Sequence, residues 1–502
     1  MEPRDPPGNA KPQLGIFNIR LRDKPVSHKD TPNFMKRLIT VILLFLLQPL
    51  AFILGADTAP NIILILGEGA GWTSSSVQMD DRNPASKGRG INTPELERLA
   101  ATGMRFSDGY AASPRCTPSR AALFTGISPA ALQMTFVGDR PASGEPVKMK
   151  FFPAQATAEM PAEVTTTAEI LKQAGYATAH FGKWHVGRTN PSQHGFEEND
   201  GANSNGGPEN VQNPNPKQAL AITAQGIDFM ERQLKKDKPF FLQMSHYPDP
   251  EEKNARNRQS NPDSSFVSIT DKTLGTLLDA VDRLGLKDNT YIIYTTDHGT
   301  PGRNAPLNGG KGMVWEGGLR VPFIIAGPDI HPGVCSYVRV SAMDLLPTFA
   351  EWAGVKAELP SSVEGGSLAA LLKNKGQGQV NRSREEFVSH FPHYDKDPQG
   401  PASAIILGDY KLIRVFETDE RKLFNLSQDP GEQIDLAEKQ PDKAAELDQR
   451  LTHYLAEVNA QMPTLNPNHD PSVTARSLPG ETRGGGNRRD RGNRGDRQNQ
   501  SR

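Results

Sequence analysis

Two patterns divide the folded part of this chain, and together they predict an α/β protein. From residue 57 to residue 375, short apolar runs alternate with helical periodicities. That alternation predicts a large, mostly parallel sheet sandwiched by helices, with ligand groups at the carboxyl ends of strands. From 376 to 465 the composition changes to closely spaced strand-like runs and one helix, which predicts a smaller C-terminal antiparallel sheet plus helix. A length of 502 residues accommodates one large unit and one smaller one.

Ahead of these lies a leader, residues 1–56. Its first 33 residues are polar and Pro-rich. Met35 to Ala56 then combines a basic start, a short apolar core and small residues at Gly55 and Ala56, the pattern of a secretory signal peptide. Gln48 and Pro49 interrupt the apolar run, so no stable membrane span is expected. The folded part is therefore expected to be exported, periplasmic or secreted.

Asn61 to Leu66 is apolar and β-branched and is ended by glycines, as in a buried parallel strand. Thr93-Pro94-Glu95 opens a helix carrying Leu96 and Leu99, with Gly103 as its stop. Thr166 and Glu169 form a capping box before Ile170 and Leu171, and Gly175 ends that helix. Thr178 to Gly182 reads as a strand end. Leu220 to Leu234 is helical in spacing, and Pro239 to Met244 is a strand. Leu274, Leu277, Leu278 and Val281 mark one face of another helix. Tyr291 to Thr295 and Val321 to Ile325 are strands. Residues 199–216 and 249–264 read as loops. In the C-terminal part, Ala404 to Leu407, Tyr410 to Ile413 and Lys422 to Asn425 are short strands, and a helix covers Ala444 to Val458. Residues 466–502 are assigned to a disordered Arg/Gly-rich tail. From Arg483 it has no apolar residue to bury and is expected to be disordered, a solvated tail.

Lys+Arg of 57 against Asp+Glu of 58 leaves no overall field, so nucleic acid is not an expected partner. Only two cysteines occur, Cys116 and Cys335, so the chain is not a disulfide scaffold. A Cys116–Cys335 bridge is nevertheless the plain alternative for an exported protein.

The richest stretch is Ser113 to Gly126, centred on Cys116-Thr117-Pro118-Ser119-Arg120. Pro118 and Ser119 can open a helix whose Ala121, Leu123 and Phe124 bury one side. Cys116 would then sit at a helix N-terminus, where backbone N–H groups favour an anion. The five residues resemble the Cys-x-Pro-x-Arg signature of type I sulfatases, of the alkaline-phosphatase-like superfamily. In that family a formylglycine-generating enzyme oxidises the cysteine to an aldehyde, formylglycine. Hydrated, that aldehyde offers one hydroxyl to attack sulfur and a second that later expels sulfate, which is nucleophilic catalysis with an exit.

Further segments resemble the same family in the same order. Gly182-Lys183-Trp184-His185-Val186-Gly187 implies that Lys183 and His185 contact the sulfate or its reacting hydroxyls. His246, in Met244-Ser-His246-Tyr, would touch substrate. Asp297 and His298, in Thr296-Asp297-His298-Gly299, would be metal ligands. Asn304 to Gly312 resembles the Gly-rich lysine loop with Lys311, and Trp315 to Pro322 follows it. Asp344 to Thr348, Gly408 to Ile413 and Leu423 to Glu432 resemble the later segments. Sulfate esters are anionic, which suits the cations Arg120, Lys183 and Lys311. A hard ion such as Ca²⁺, held by Glu68, Asp297, His298 and the residue at Cys116, would stabilise charge as it develops. By resemblance His185 takes the hydroxyl proton, and Lys311 or His246 protonates the leaving oxygen.

One place departs from the family. After the first strand the family usually carries two adjacent aspartates, both metal ligands. Here Glu68 stands at the first and Gly69 at the second, so the metal shell lacks a carboxylate unless Asp80 or Asp81 folds back or water fills in. The expected function is hydrolysis of sulfate monoesters, on a sulfated small molecule or carbohydrate. Two alternatives are a phosphatase or phosphodiesterase of the same fold and a non-catalytic sulfated-glycan binder. The former class commonly uses Thr or Ser as nucleophile, so Cys116-Thr-Pro-Ser-Arg120 speaks against it, and only Gly69 supports the latter.

Overall fold

The computed structural model describes residues 59–137, 148–205, 219–247, 266–267, 269–302 and 304–475. The leader with its signal peptide, the Arg-rich segment and the 249–264 loop lie outside the described residues, as do residues 206–216 of the 199–216 loop. No described helix is long and apolar enough to cross a membrane. All described residues belong to one compact unit, so position 376 marks a change of layer within it.

The chain runs β1 (Asn61–Gly67), α1 (Pro94–Thr102), β2 (Met104–Phe106), α2 (Cys116–Thr125), α3 (Thr167–Gln173), β3 (Ala177–Gly182), β4 (Glu198–Asn199), α4 (Ala219–Leu234), β5 (Phe240–Ser245), α5 (Ile269–Arg283) and β6 (Thr290–Thr296). It continues with α6 (Glu316–Leu319), β7 (Phe323–Ala326), β8 (Val334–Ser336), α7 (Leu345–Trp352), β9 (Phe387–Phe391), β10 (Ala402–Leu407), β11 (Tyr410–Val415), β12 (Glu420–Asn425) and α8 (Pro441–Glu457).

The large sheet has the order β8-β2-β7-β6-β1-β5-β3-β4. All neighbours pair in parallel except those of β7, which is antiparallel to both β6 and β2. The run from Val321 reads correctly as a strand, but its direction is reversed. Successive residues of β1 face opposite cores, as a strand buried on both sides requires. Ile62, Leu64 and Leu66 pack with Leu123 and Phe124 of α2, Leu171 of α3 and Phe349 of α7. Ile63 and Ile65 pack with Leu99 of α1, Phe229 of α4 and Leu277 of α5.

The second sheet, β9-β10-β11-β12, is antiparallel throughout. One face meets Leu447, Leu451 and Tyr454 of α8. The other, through Ala404, Ile413 and Phe424, meets Trp315 and Leu319 beside the Lys311 loop. The tail assignment from 466 needs correcting. Asn466 donates its N–H to Lys150 O at 2.9 Å and Asp470 to Lys148 O at 2.9 Å, and Ala475 is buried. Residues 466–475 therefore belong to the folded unit, held by backbone bonds that their polar side chains do not advertise.

Candidate active site

The register of the large sheet aligns four strand ends. Gly182 lies opposite Ser245, Ser245 opposite Leu66, and Gly67 opposite Thr296. The residues that follow are Lys183, His246, Glu68 and Asp297. Four adjacent parallel strands thus deliver four polar side chains to one edge, where backbone groups leave the ladder and a site can open.

Helix α2 supplies the rest. Its N-cap is Arg115, in extended conformation, and it begins at Cys116 itself, two residues earlier than Pro118 suggests. Proline is tolerated there because first-turn N–H groups have no intrahelical partner. Gly126, at φ 68°, closes the helix. Cys116 Sγ lies 3.2 Å from Glu68 Oε1, 3.1 Å from His298 Nε2 and 3.5 Å from Lys311 Nζ. Burial and the Glu68 charge would push the thiol up, yet Lys183, Lys311 and His298 bring it well below the ordinary thiol range.

The Arg120 guanidinium is fully buried one turn on. It donates to Glu68 Oε2 at 2.9 Å, Asp297 Oδ2 at 3.0 Å and Lys183 O at 2.6 Å. Lys183 Nζ lies 2.8 Å from Glu68 Oε2, and Lys311 Nζ 3.5 Å from Glu68 Oε1. Burial alone would raise Glu68, but Lys183, His298, Lys311 and Arg120 hold it well below the usual carboxylate range. Asp297 is lifted by burial and by Glu68. His298 is lifted to about 9, because Asp297 overrides burial.

His185 has φ 60°, a backbone strained for a residue with a Cβ. Its N–H and that of Trp184 both donate to Asn203 O, at 2.9 and 3.0 Å, and its carbonyl accepts from Thr117 Oγ1 at 2.8 Å. Burial lowers the pKa of its imidazole, against the pull of the Cys116 side chain, and its Nδ1 is buried without a partner among the described residues. His246 stands at the end of β5, with its N–H donated to Leu66 O at 2.9 Å. Its Nδ1 is buried without a partner among the described residues, and burial pushes it down to about 4. Motif reading missed Thr117 and Asn203. Thr117 fills the open position of Cys-x-Pro-x-Arg, and Asn203 sits in a loop with no local signal.

Glu68, Cys116, Asp297 and His298 each turn one ligand atom inward, all within 4.8 Å of one another. Ligands at about 2.4 Å from a hard cation lie at most about 4.8 Å apart, so these atoms fit around one ion. His298 donates its Nδ1–H to Gly299 O at 2.8 Å, which aims Nε2 at the same centre, where a proton and a cation compete. Gly69 contributes no side chain, but its N–H donates to Asp297 Oδ1 at 3.0 Å. A Cβ there would meet His298 Cε1 at 3.1 Å, so the bare glycine makes room for the imidazole. Asp80 and Asp81 do not fold back. Asp80 binds Arg82, and Asp81 pairs with Arg105.

Both cysteines are free, and the disulfide alternative fails on position. Cys335 lies on β8, at the sheet edge four strands from β1.

The sulfatase family model matches residues 60–355, and the model of the N-sulphoglucosamine sulphohydrolase C-terminal region matches residues 310–461. Arylsulfatase A of Homo sapiens is 30% identical over 469 residues, covering 78% of this chain and 86% of its own length. N-acetylgalactosamine-6-sulfatase of Mus musculus is 27% identical over 450 residues, covering 76% and 83%. Among solved structures, one of BT4656 with its substrate D-glucosamine-2-N,6-O-disulfate superposes with TM-score 0.61 at 20% identity, over 80% of this chain and 98% of that one. PsFucS1 sulfatase from Pseudoalteromonas sp. superposes with TM-score 0.60 at 22% identity, over 83% and 93%. With the Cys116 motif, its strand-end partners and the length of these matches in agreement, the chain belongs to the sulfatase family and is a sulfuric ester hydrolase.

Proposed function

We propose that this enzyme removes sulfate from a sulfated carbohydrate outside the cytoplasm. The sugars named for two relatives, an N-acetylgalactosamine sulfate and a glucosamine disulfate, support the carbohydrate, and the Met35–Ala56 leader supports export. Position 116 carries formylglycine in the mature protein, made by a formylglycine-generating enzyme, and its hydrated aldehyde supplies the attacking hydroxyl and the hydroxyl that later expels sulfate. The carrying observation is the convergence of Glu68, His298 and Lys311 within 3.5 Å of Cys116 Sγ at the start of α2.

The chain's own residues then divide the work. Arg120 and Lys183 are buried cations that balance Glu68 and Asp297, so that Lys311 adds positive potential for a sulfate. His185, whose pKa burial lowers so that the imidazole can accept a proton, takes the proton from a hydroxyl at position 116. Lys311, kept protonated by its anionic neighbours against burial, gives a proton to the departing sugar oxygen. His246, neutral at neutral pH, orients the ester by a hydrogen bond. Glu68, Asp297, His298 and the side chain at 116 would hold one divalent ion, Ca²⁺, whose Lewis acidity would stabilise charge on a sulfate oxygen.

Trypsin releases Cys116–Arg120 as one peptide. After expression with the maturing enzyme, its mass should be that of the aldehyde. An intact thiol, or turnover of an aryl phosphate faster than the matching aryl sulfate, would refute this chemistry.

A further inference from the structure

Three segments that the active-site reading leaves unused meet in one buried cluster. Glu316 opens α6, directly after the Lys311 loop. Lys411 lies on β11, and Glu432 follows β12. Lys411 Nζ is 2.9 Å from Glu316 Oε1 and 2.7 Å from Glu432 Oε1, and all three side chains are fully buried. Glu432 Oε2 accepts the Glu316 N–H at 2.8 Å, and Tyr110 donates its hydroxyl to Glu316 Oε2 at 2.7 Å. Arg320 approaches the same carboxylate at 3.5 Å and pairs with Asp108. Apolar residues of equal volume commonly stabilise a core as well as buried ions do, so stability is a weak reason for this cluster.

From the cluster, short backbone steps lead to the reacting groups. Gly317 N–H donates to Asn308 O at 2.7 Å, closing the loop that holds Lys311. Lys311 N–H donates to Thr300 O at 3.0 Å, and Gly312 N–H to Pro114 O at 2.9 Å, two residues before Cys116. Gly299 N–H, next to His298, donates to Gly318 O at 2.9 Å. The loop has no slack. A Cβ on Gly317 would lie 2.6 Å from Asn308 O, and one on Gly318 2.0 Å from Met313 O.

We propose that Glu316, Lys411 and Glu432 are positioning residues. They brace the Lys311 loop from the C-terminal sheet and set the distance between the Lys311 ammonium and position 116. The second sheet thereby takes part in catalysis without touching the ester. This role presupposes that Lys311 acts on the ester, as proposed above.

A double-mutant cycle tests it with an aryl sulfate as substrate. Glu432→Gln keeps the side-chain shape and an acceptor for the Glu316 N–H, but in an assay at about pH 8, where Glu432 is ionised, it removes a charge from Lys411. Alone it should lower kcat about tenfold with KM altered less than about twofold, whereas in a Lys311→Ala background it should cost less than about twofold. Equal losses in both backgrounds overturn the bracing role while leaving Lys311 catalytic. If Lys311→Ala keeps the full kcat, the reading of Lys311 falls and the brace falls with it. Tyr110→Phe removes one hydrogen bond to Glu316 without changing charge. It should repeat the pattern on a smaller scale, and it carries the test if Glu432→Gln does not fold. Losses that vanish once rates are expressed per folded molecule, measured by circular dichroism, also overturn it.

Discussion

Glu68 is the most heavily engaged carboxylate of the site, with Arg120 and Lys183 on one oxygen and Cys116 and Lys311 on the other. It is a proposed metal ligand and also the counter-charge of three cations. Glu68→Ala should therefore lower activity at least about 100-fold and remove bound metal in the same preparation. Metal retained at full stoichiometry, or wild-type activity indifferent to chelators, would sink the metal assignment. Gly69 is the companion case. Its φ of 61° suits glycine, and any Cβ crowds His298. Gly69→Ala should cost about 1–2 kcal/mol in urea unfolding and weaken metal retention, because the imidazole must move. Unaltered stability and metal content would show that the imidazole has room to spare.

Among the elements, α3 follows its local signals closely. Thr166 Oγ1 accepts the Glu169 N–H at 3.2 Å, and Glu169 Oε2 accepts the Thr166 N–H at 2.8 Å. Thr166→Ala should lower stability by about 1 kcal/mol and leave kcat unaltered, since the helix packs against α7 and β3 and supplies no side chain to the site. A change in kcat at full folding would contradict that separation. Helix α1 shows the limit of such signals. Thr93 stands at its start, but its Oγ1 accepts the Ser76 N–H, and the Asp271 carboxylate of α5 accepts the N–H groups of Glu95 and Leu96. The boundary was legible from Pro94 and Gly103. The cap was not, because its donor of charge lies more than 170 residues away.

For the molecule as a whole, the brace between the two sheets links stability to pH. Burial, together with the nearby Glu316 charge and against the pull of Lys411, raises Glu432 from 4.5 to about 7. Between those values the folded protein holds a proton that the unfolded chain releases. This group therefore favours folding most at low pH, and its contribution is lost as pH rises through about 7. Glu432→Gln cannot titrate, so its midpoint of thermal unfolding should decline less than that of the wild type between about pH 5 and about pH 8. Parallel curves for the two proteins would place the shared proton elsewhere.

Local chemistry explains what could be read from the chain alone. Apolar runs such as Asn61–Leu66 become strands wherever they are buried, and the Cys116 motif, Lys183, His185 and Lys311 carry their type and spacing with them. The strand after Gly318 was equally visible, but its reversal depends on which neighbours it meets. The same holds for Asn203 beneath His185, for Gly69 yielding space to His298, and for residues 466–475 bound to Lys148 and Lys150. Each of these joins groups far apart along the chain, and packing alone brings them within bonding distance. The residues of the chemistry were thus inscribed locally, whereas their orientation, and the charge each one meets, arose only when the two sheets closed on one another.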